Sequence, residues 1–245
     1  MSRNKFDTIL EKVIKVQGVK INRKDFLNKE LSKYFSENIV KKAVQDNPAI
    51  AGIEVSEINK IADRVIAHEI RQSTIFSTIM GIPGGLAIAG TLAIDITQYF
   101  AHIIRITQKL AYLYGWKDMF ENNNELSKDT MERLTLLMGV MFGVDLADNA
   151  VVKLAQTAAL NIEKRILQKA LTRSAVYPII KKSASVLGLK VSQQSFSISV
   201  NKAIPFIGGF ISGLVTYITM KPLALNLQEA LSELPLADID FYKNK

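Results

Sequence analysis

The chain has 245 residues, carries a formal net charge of +8, and 48% of its residues are hydrophobic. This length suits one large helical domain, and the apolar content excludes disorder for most of the chain. There is no cysteine, which excludes disulfides, thiolate catalysis and cysteine-based zinc sites. The polar start of the sequence is unlike a secretory signal, so we expect none.

The positive charge is unevenly distributed along the chain. Residues 1–42 hold eleven Lys and Arg against five acids, and residues 153–202 hold nine against one. Residues 43–152 are acidic, with eight against thirteen, and residues 203–245 are nearly neutral. Two basic segments around an acidic middle predict anionic partners, either phospholipid headgroups or nucleic acid. A solvated basic surface without a partner is the alternative.

Apolar residues at helical spacing predict three short amphipathic helices before a break at Asn47-Pro48. Their apolar stripes are Phe6, Ile9, Leu10, Val13 and Ile14; Leu27, Leu31, Tyr34 and Phe35; and Ile39, Val40, Ala43 and Val44. We therefore divide the chain into basic N-terminal helices over 1–48, a helical domain over 49–235 and a flexible tail over 236–245.

A charge-free run from Gln72 to Ile94 surrounds Pro83-Gly84-Gly85. Proline followed by two glycines combines a missing donor with a free backbone, which favours reversal of the chain. One long helix is predicted from the N-cap Ser56 to this turn, and another from the turn to Tyr114, before Gly115. The two predict a central apolar helical hairpin.

The rest of the chain is also predicted to be mainly helical, which makes the fold class all-α with a single domain. Further helices are predicted over 126–142, 148–173, 177–187 and 209–231. A strand competes with helix over 193–202, where apolar residues alternate imperfectly. Pro222 is expected to kink or break the last of these helices.

A polar stripe interrupts the apolar helix that follows the turn. Its members recur at steps of four and three, on one face of the helix: Thr91, Asp95, Gln98, His102, Arg105 and Lys109. In an antiparallel hairpin the opposing side chains would come from the preceding helix. The predicted neighbours are Arg71 for Asp95, His68 for Gln98, and both Arg64 and Glu69 for His102. We call this predicted arrangement the polar seam.

Three interpretations of the polar seam remain open. It is an ion-pair lock that sets the helix register, a groove for a headgroup or small polar ligand, or a metal or catalytic centre at Asp95, His102 and Glu69. The pair His68-Glu69 begins the zinc-protease motif H-E-x-x-H, but Gln72 occupies the second histidine position. No phosphate-binding loop, dinucleotide fingerprint or nucleophile elbow occurs. We therefore predict no metal, no cofactor and no catalytic residue.

A second set of candidates forms a basic stripe downstream. Arg165, Lys169 and Arg173 recur every four residues, and Lys181 and Lys182 follow. A basic amphipathic helix of this kind suits an anionic membrane surface. Nucleic acid would accept the same charge, but the segment has few aromatic residues and no nucleic-acid-binding signature. Nucleic acid is therefore not the predicted partner.

Residues 81–116 resemble the pattern of the EcsC family. The matching features are the Pro83-Gly84 break, Asp95, Arg105, the closing Tyr114-Gly115 and Asp118. Residues 203–213 are similar to a second Pro/Gly-marked apolar segment of that family. The resemblance implies a bacterial, all-helical protein linked with membrane and transport functions, and it brings no catalytic residues.

The sequence therefore predicts a non-enzymatic, membrane-associated bacterial protein on the cytoplasmic side of the cell membrane. It would bind an anionic membrane surface, a lipid or a membrane-protein partner. One alternative is an integral or pore-forming protein that inserts the hairpin over 73–114 and the segment 203–220. The other is a metal-dependent enzyme that uses the polar seam. The sequence leaves the oligomeric state undetermined.

Overall fold

The computed structural model describes residues 5–80, 88–120, 127–160, 178–179, 181–183, 185 and 207–243. Within these ranges all regular secondary structure is helical, which confirms the predicted fold class. The helices are α1 Lys5–Ile14, α2 Arg23–Leu31, α3 Glu37–Gln45, α4 Val55–Met80, α5 Ile88–Leu113, α6 Lys128–Met141, α7 Ala147–Ala159, α8 Ile207–Ser232 and α9 Ile239–Lys243.

The two long central helices, α4 and α5, pack against each other in opposite directions. His102 contacts Glu69, and Tyr114, just after the end of α5, donates to Asn59, which lies earlier on α4. The direction of the chain is therefore reversed between them, as the Pro-Gly-Gly run predicts. The turn itself, residues 81–87, lies outside the described part.

Helix α5 is the centre of the core. Nearly every side chain from Tyr99 to Trp116 is buried, because this helix contacts α1, α2, α4, α6 and α8. Helix α8 lies along α4 in the most extensive contact between any two of the labelled helices. A predominantly apolar helix such as α5 buries its apolar surface only when neighbouring helices cover most of its faces. The polar residues it retains must therefore find partners inside the protein.

Helix boundaries differ from the sequence predictions in the N-terminal half by a few residues. Helix α4 begins at Val55 rather than after an N-cap at Ser56. Helix α2 ends at Leu31, so Tyr34 lies beyond it, 46% exposed, and stacks against the Arg64 guanidinium. The predicted stripe therefore extends past the end of α2, where the Ser32 N–H and hydroxyl both donate to the Asn28 carbonyl.

Helix α7 is shorter than the helix predicted over 148–173. It ends at Ala159, and Leu160 forms its C-cap; residues 161–177 lie outside the described part. The helical residues at 178–179, 181–183 and 185 agree with the helix predicted over 177–187. The predicted competition between strand and helix over 193–202 also falls outside the described residues.

Pro222 does not break α8, which continues from Ile207 to Ser232. Pro222 is exposed, and Ile218, whose carbonyl loses its helical donor, is 57% exposed. Water can therefore hydrate the carbonyl that the missing N–H leaves unpaired. The predicted break is therefore absent, and the helix continues through Pro222.

Residues 236–243 differ from the flexible tail predicted for this region. Leu236 and Ala237 are buried, and α9 follows them. The buried amide of Asn47 donates to the Leu236 carbonyl at 3.2 Å and to the Tyr242 hydroxyl at 2.9 Å. The C-terminal residues are therefore held against Asn47, at the end of the N-terminal segment 1–48.

Candidate functional site

The central polar feature of the described structure is a carboxylate buried between α4 and α5. Glu69 is 0% exposed and occupies the apolar stripe of α4 that also contains Val65, Ile66 and Ile70. Its partners come from one face of α5, where His102, Arg105 and Lys109 recur at steps of three and four. A charge in such a position must be paired, because burial without a partner costs several kcal/mol. We call these four residues the Glu69 cluster.

Each partner in the Glu69 cluster donates to the carboxylate. His102 Nδ1 lies 3.1 Å from Oε2, and Arg105 approaches both oxygens, with Nη2 2.9 Å from Oε1 and Nε 3.1 Å from Oε2. Lys109 Nζ contacts Oε1 as well. Arg105 thus binds in the two-pronged geometry that makes arginine–carboxylate pairs strong and directional.

These contacts control the ionisation of Glu69. Burial alone would raise the pKa of its carboxyl, but the hydrogen bonds from His102 and Arg105 and the charge of Lys109 outweigh it. The pKa of Glu69 is therefore held well below its usual range, and the group stays ionised at physiological pH. A carboxylate that is already saturated with donors can neither supply a proton nor coordinate a metal without losing these bonds.

The Glu69 cluster also fixes the connection between α1 and α2. Arg105 donates a further bond, from Nη1, to the Gly18 carbonyl. One turn on, Gln108 donates to the Val19 carbonyl at 2.8 Å and accepts from the Ile21 N–H at 3.0 Å. Gly18 has φ +80°, a backbone conformation that favours glycine. The same arginine therefore joins α4, α5 and the α1–α2 loop.

Of the contacts predicted for the polar seam, the structure contains the one between His102 and Glu69. Arg105 and Lys109 join it, although the spacing argument had not paired them with Glu69. The predicted His68–Gln98 contact is not formed, because His68 is exposed and pairs with Gln72 on its own helix at 3.0 Å. Adjacent helical residues point about 100° apart, so burial of Glu69 turns His68 away from α5.

The remaining polar-seam residues do not extend the cluster within the described part. Arg71 is exposed and Gln98 is partly exposed. The side chain of Asp95 lies outside the described part, so its predicted pairing with Arg71 stays a prediction. Arg64 pairs with the Tyr34 ring at 4.8 Å rather than with His102. Among the described residues, no group of three or more His, Asp or Glu side chains is arranged to hold a metal.

The Tyr114-Gly115 and Asp118 matches form the C-terminal cap of α5. Gly115 has φ +91°, and Trp116 N–H donates to the Ala111 carbonyl at 3.0 Å. A Cβ on Gly115 would lie 2.7 Å from the Leu236 carbonyl oxygen. Asp118 accepts bonds from the Tyr112 hydroxyl, the Phe120 N–H and the Arg23 N–H. These residues therefore maintain the fold and leave no free group for chemistry.

Arg23 is a buried charged residue that the sequence predictions did not single out. It is 8% exposed, and its guanidinium donates to the Trp116 carbonyl and to carbonyls at the end of α3, those of Val44 and Asp46 among them. The one feature of the sequence that could have pointed to this role is the position of Arg23 at the start of a helix. A basic residue at the first position of a helix opposes the helix dipole, which implies partners elsewhere.

The predicted anion-binding residues lie mostly outside the described part. Arg165, Lys169 and Arg173 fall within 161–177. Lys181 and Lys182 are exposed, and Lys182 pairs with Asp145 at 2.8 Å.

A larger basic surface covers the N-terminal helices. Its exposed lysines that make no ion pair with any other described residue are Lys12, Lys15, Lys24, Lys29, Lys41 and Lys42. They lie on α1, α2, α3 and the loop after α1. We call this set the N-terminal basic surface; the exposed acids Asp25, Glu37 and Asp46 lie on the same helices or at their ends.

Compared with protein-family models, curated proteins and solved structures, the chain has no significant match in any of the three. The resemblance to the EcsC family therefore stays an expectation that depends on the motif residues. Among the described helices, none combines the length and apolarity that a membrane span requires.

Proposed function

We propose that this protein is a non-enzymatic, membrane-associated protein that binds an anionic membrane surface on the inner face of the cell membrane. The observation that carries the proposal is the N-terminal basic surface, with six exposed lysines that make no ion pair with any other described residue. Each Lys near an anionic bilayer contributes about 1 kcal/mol of attraction. Several such residues on neighbouring helices are therefore sufficient for reversible binding without insertion.

The Glu69 cluster supports the non-enzymatic part of the proposal. Its carboxylate is buried and fully bonded, which suits an ion-pair lock between helices rather than proton transfer or metal binding. The metal-dependent alternative at Asp95, His102 and Glu69 has no observation in its favour among the described residues. The integral or pore-forming alternative has no observation in its favour among the described residues either.

Sedimentation with vesicles tests the proposal. The protein should pellet with vesicles that contain phosphatidylglycerol and remain in the supernatant with neutral phosphatidylcholine vesicles. Binding should weaken as salt rises toward 0.15 M and beyond, where the Debye length is about 8 Å and less. Equal binding to both vesicle types, or no binding to either, would refute it.

Two variants that each lose three positive charges show which basic surface contacts the membrane. Lys29, Lys41 and Lys42 changed to Gln remove three charges from the N-terminal basic surface. Arg165, Lys169 and Arg173 changed to Gln remove three from the downstream basic stripe. The variant that removes contacting residues should bind about 100-fold more weakly, since each charge contributes about 1 kcal/mol.

A further inference from the structure

A groove between α2 and α3 lies within the N-terminal basic surface. The helices are antiparallel, because Arg23 at the start of α2 binds carbonyls at the end of α3 and residues 32–36 join their other ends. The groove has a volume of about 630 Å³, within the range of pockets that hold small organic ligands. Its lining residues are Lys24, Asn28, Ser32, Phe35, Glu37, Val40, Lys41, Val44 and Gln45.

The lining of the groove is amphipathic. Residues four apart on α2 form one polar edge, and residues four apart on α3 form the other. Phe35, Val40 and Val44 supply apolar surface between the edges. Lys24 and Lys41 supply ammonium groups, and neither makes a hydrogen bond or ion pair with the rest of the described structure. A ligand that matches both features needs an anionic group joined to an apolar part.

Charge within the groove is graded along its length. Glu37, the one acidic lining residue, lies on α3 at the end joined to α2 by the turn. Lys41 lies one helical turn further, about 6 Å along the axis, and Lys24 lies at the opposite, open end. Two other acidic residues, Asp25 on α2 and Asp46 at the end of α3, are exposed but do not line the groove. An anion would therefore be attracted to the open half.

The end of α3 at the open half would ordinarily repel an anion, because its carbonyls carry partial negative charge. Arg23 removes that obstacle. Its guanidinium donates to the Val44 carbonyl at 2.6 Å and to the Asp46 carbonyl at 3.0 Å. The negative end of the helix is thus compensated by a buried cation at the same end of the groove as Lys24.

We infer that this groove is a binding site for the phosphate headgroup of a membrane phospholipid. The phosphate lies between Lys24 and Lys41, and the glycerol and the first part of an acyl chain cover the apolar surface. Asn28 and Gln45 offer amide donors on opposite edges. The inference depends on the proposed function, since it specifies where the membrane surface is bound.

The first test compares two variants that lose equal charge from the same two helices. Lys24 and Lys41 changed to Gln remove both groove lysines, whereas Lys29 and Lys42 changed to Gln remove exposed lysines outside it. With phosphatidylglycerol vesicles the Lys29 and Lys42 variant should bind about 30-fold more weakly than the unchanged protein, because each lysine of the N-terminal basic surface contributes about 1 kcal/mol. The groove variant should bind roughly tenfold more weakly again, because it also loses the direct contacts to the phosphate. Unchanged circular dichroism and melting temperature in both variants exclude a folding effect.

The outcomes separate this inference from the proposed function. If the unchanged protein does not bind the vesicles, both are refuted. If it binds but the two variants lose affinity equally, the membrane proposal stands and the groove is refuted as its headgroup site.

The second test uses NMR of the Asn28 and Gln45 side-chain amides. Dihexanoyl-phosphatidylglycerol, below the concentration at which it forms micelles, should shift both signals, and the phosphatidylcholine counterpart should not. Glycerol phosphate alone should require at least tenfold higher concentration, because it lacks the apolar part. Equal effects of glycerol phosphate would assign a free phosphate ester instead of a lipid. Stronger shifts with an acidic amphipathic peptide would assign a protein partner, and no shift would remove the site.

Discussion

Replacement of Glu69 by Gln tests the role assigned to the Glu69 cluster. The change keeps the size of the side chain and removes its charge, so Arg105 and Lys109 lose their shared counter-ion. Their side chains are 24% and 12% exposed, and that of Glu69 is 0% exposed, so solvent screens the pair only in part. Loss of one partner of a buried ion pair costs about 3–5 kcal/mol.

A loss of this size is a large share of the 5–15 kcal/mol that typically stabilises a folded protein. Urea unfolding should show it directly, monitored by far-UV circular dichroism and by the fluorescence of Trp116, the one tryptophan, which is 4% exposed. The melting temperature should fall by about 6–20 °C. Glu57 changed to Gln, on an exposed position of the same helix, is the matched control and should cost less than about 1 kcal/mol.

The pH dependence of the same variant provides a second check. The folded-state pKa of Glu69 lies below its ordinary value of 4.5, so its stabilisation is present above that value and is lost as pH falls below it. The difference in unfolding free energy between the unchanged protein and the Glu69→Gln variant should be constant near neutral pH. It should shrink from about pH 5 downward. A cost below about 1 kcal/mol, or a difference that does not change with pH, would refute the ion-pair lock.

Three further predictions concern Gly115, Arg23 and the buried tyrosines. Gly115→Ala should cost at least about 1 kcal/mol more than Gly52→Ala in urea unfolding, because both have positive φ but the new Cβ meets the Leu236 carbonyl only at Gly115. Equal costs would contradict the close approach. Arg23→Met should lower the free energy of unfolding by about 2 kcal/mol or more, because the main-chain carbonyls that Arg23 binds lose their donor. Lys24→Met, at the exposed neighbouring position, should lower it by less than about 0.5 kcal/mol. Similar values would show that the carbonyl contacts contribute little. Burial raises the pKa of Tyr99, Tyr112, Tyr114 and Tyr242. Absorbance at alkaline pH should therefore show at least four tyrosines that ionise above the usual pH of about 10. Titration of all seven tyrosines together near pH 10 would contradict this expectation.

Much of the helical framework was predictable because it depends on local pattern. The stripe beginning at Phe6 is buried as expected, and Gly115 ends α5 with the positive φ that glycine permits. The errors occur where a boundary depends on neighbours. Helix α7 ends at Ala159 although its pattern continues, and α8 continues through Pro222, which is exposed.

The sequence by itself determined that the α4–α5 hairpin would have a polar contact. A Pro-Gly-Gly run reverses the chain, and the spacing of polar residues on α5 then brings His102 to within a turn of Glu69. What the spacing could not determine was which polar residues meet. Asp95 and Gln98 lie about one helical turn apart, as do His102 and Arg105, so spacing alone does not select which of them meets α4. The rotation of α4 that buries Glu69 also turns His68 outward.

Only the tertiary structure decided the roles of Arg23, Asn47 and the Gly18 carbonyl. Their partners are main-chain carbonyls or residues distant in sequence, such as Val44, Leu236 and Arg105. A main-chain carbonyl is present at every position, so no residue type marks it as a partner. The groove between α2 and α3 was likewise unpredictable, because its two polar edges become one site only when the helices pack antiparallel and Arg23 holds their open end together.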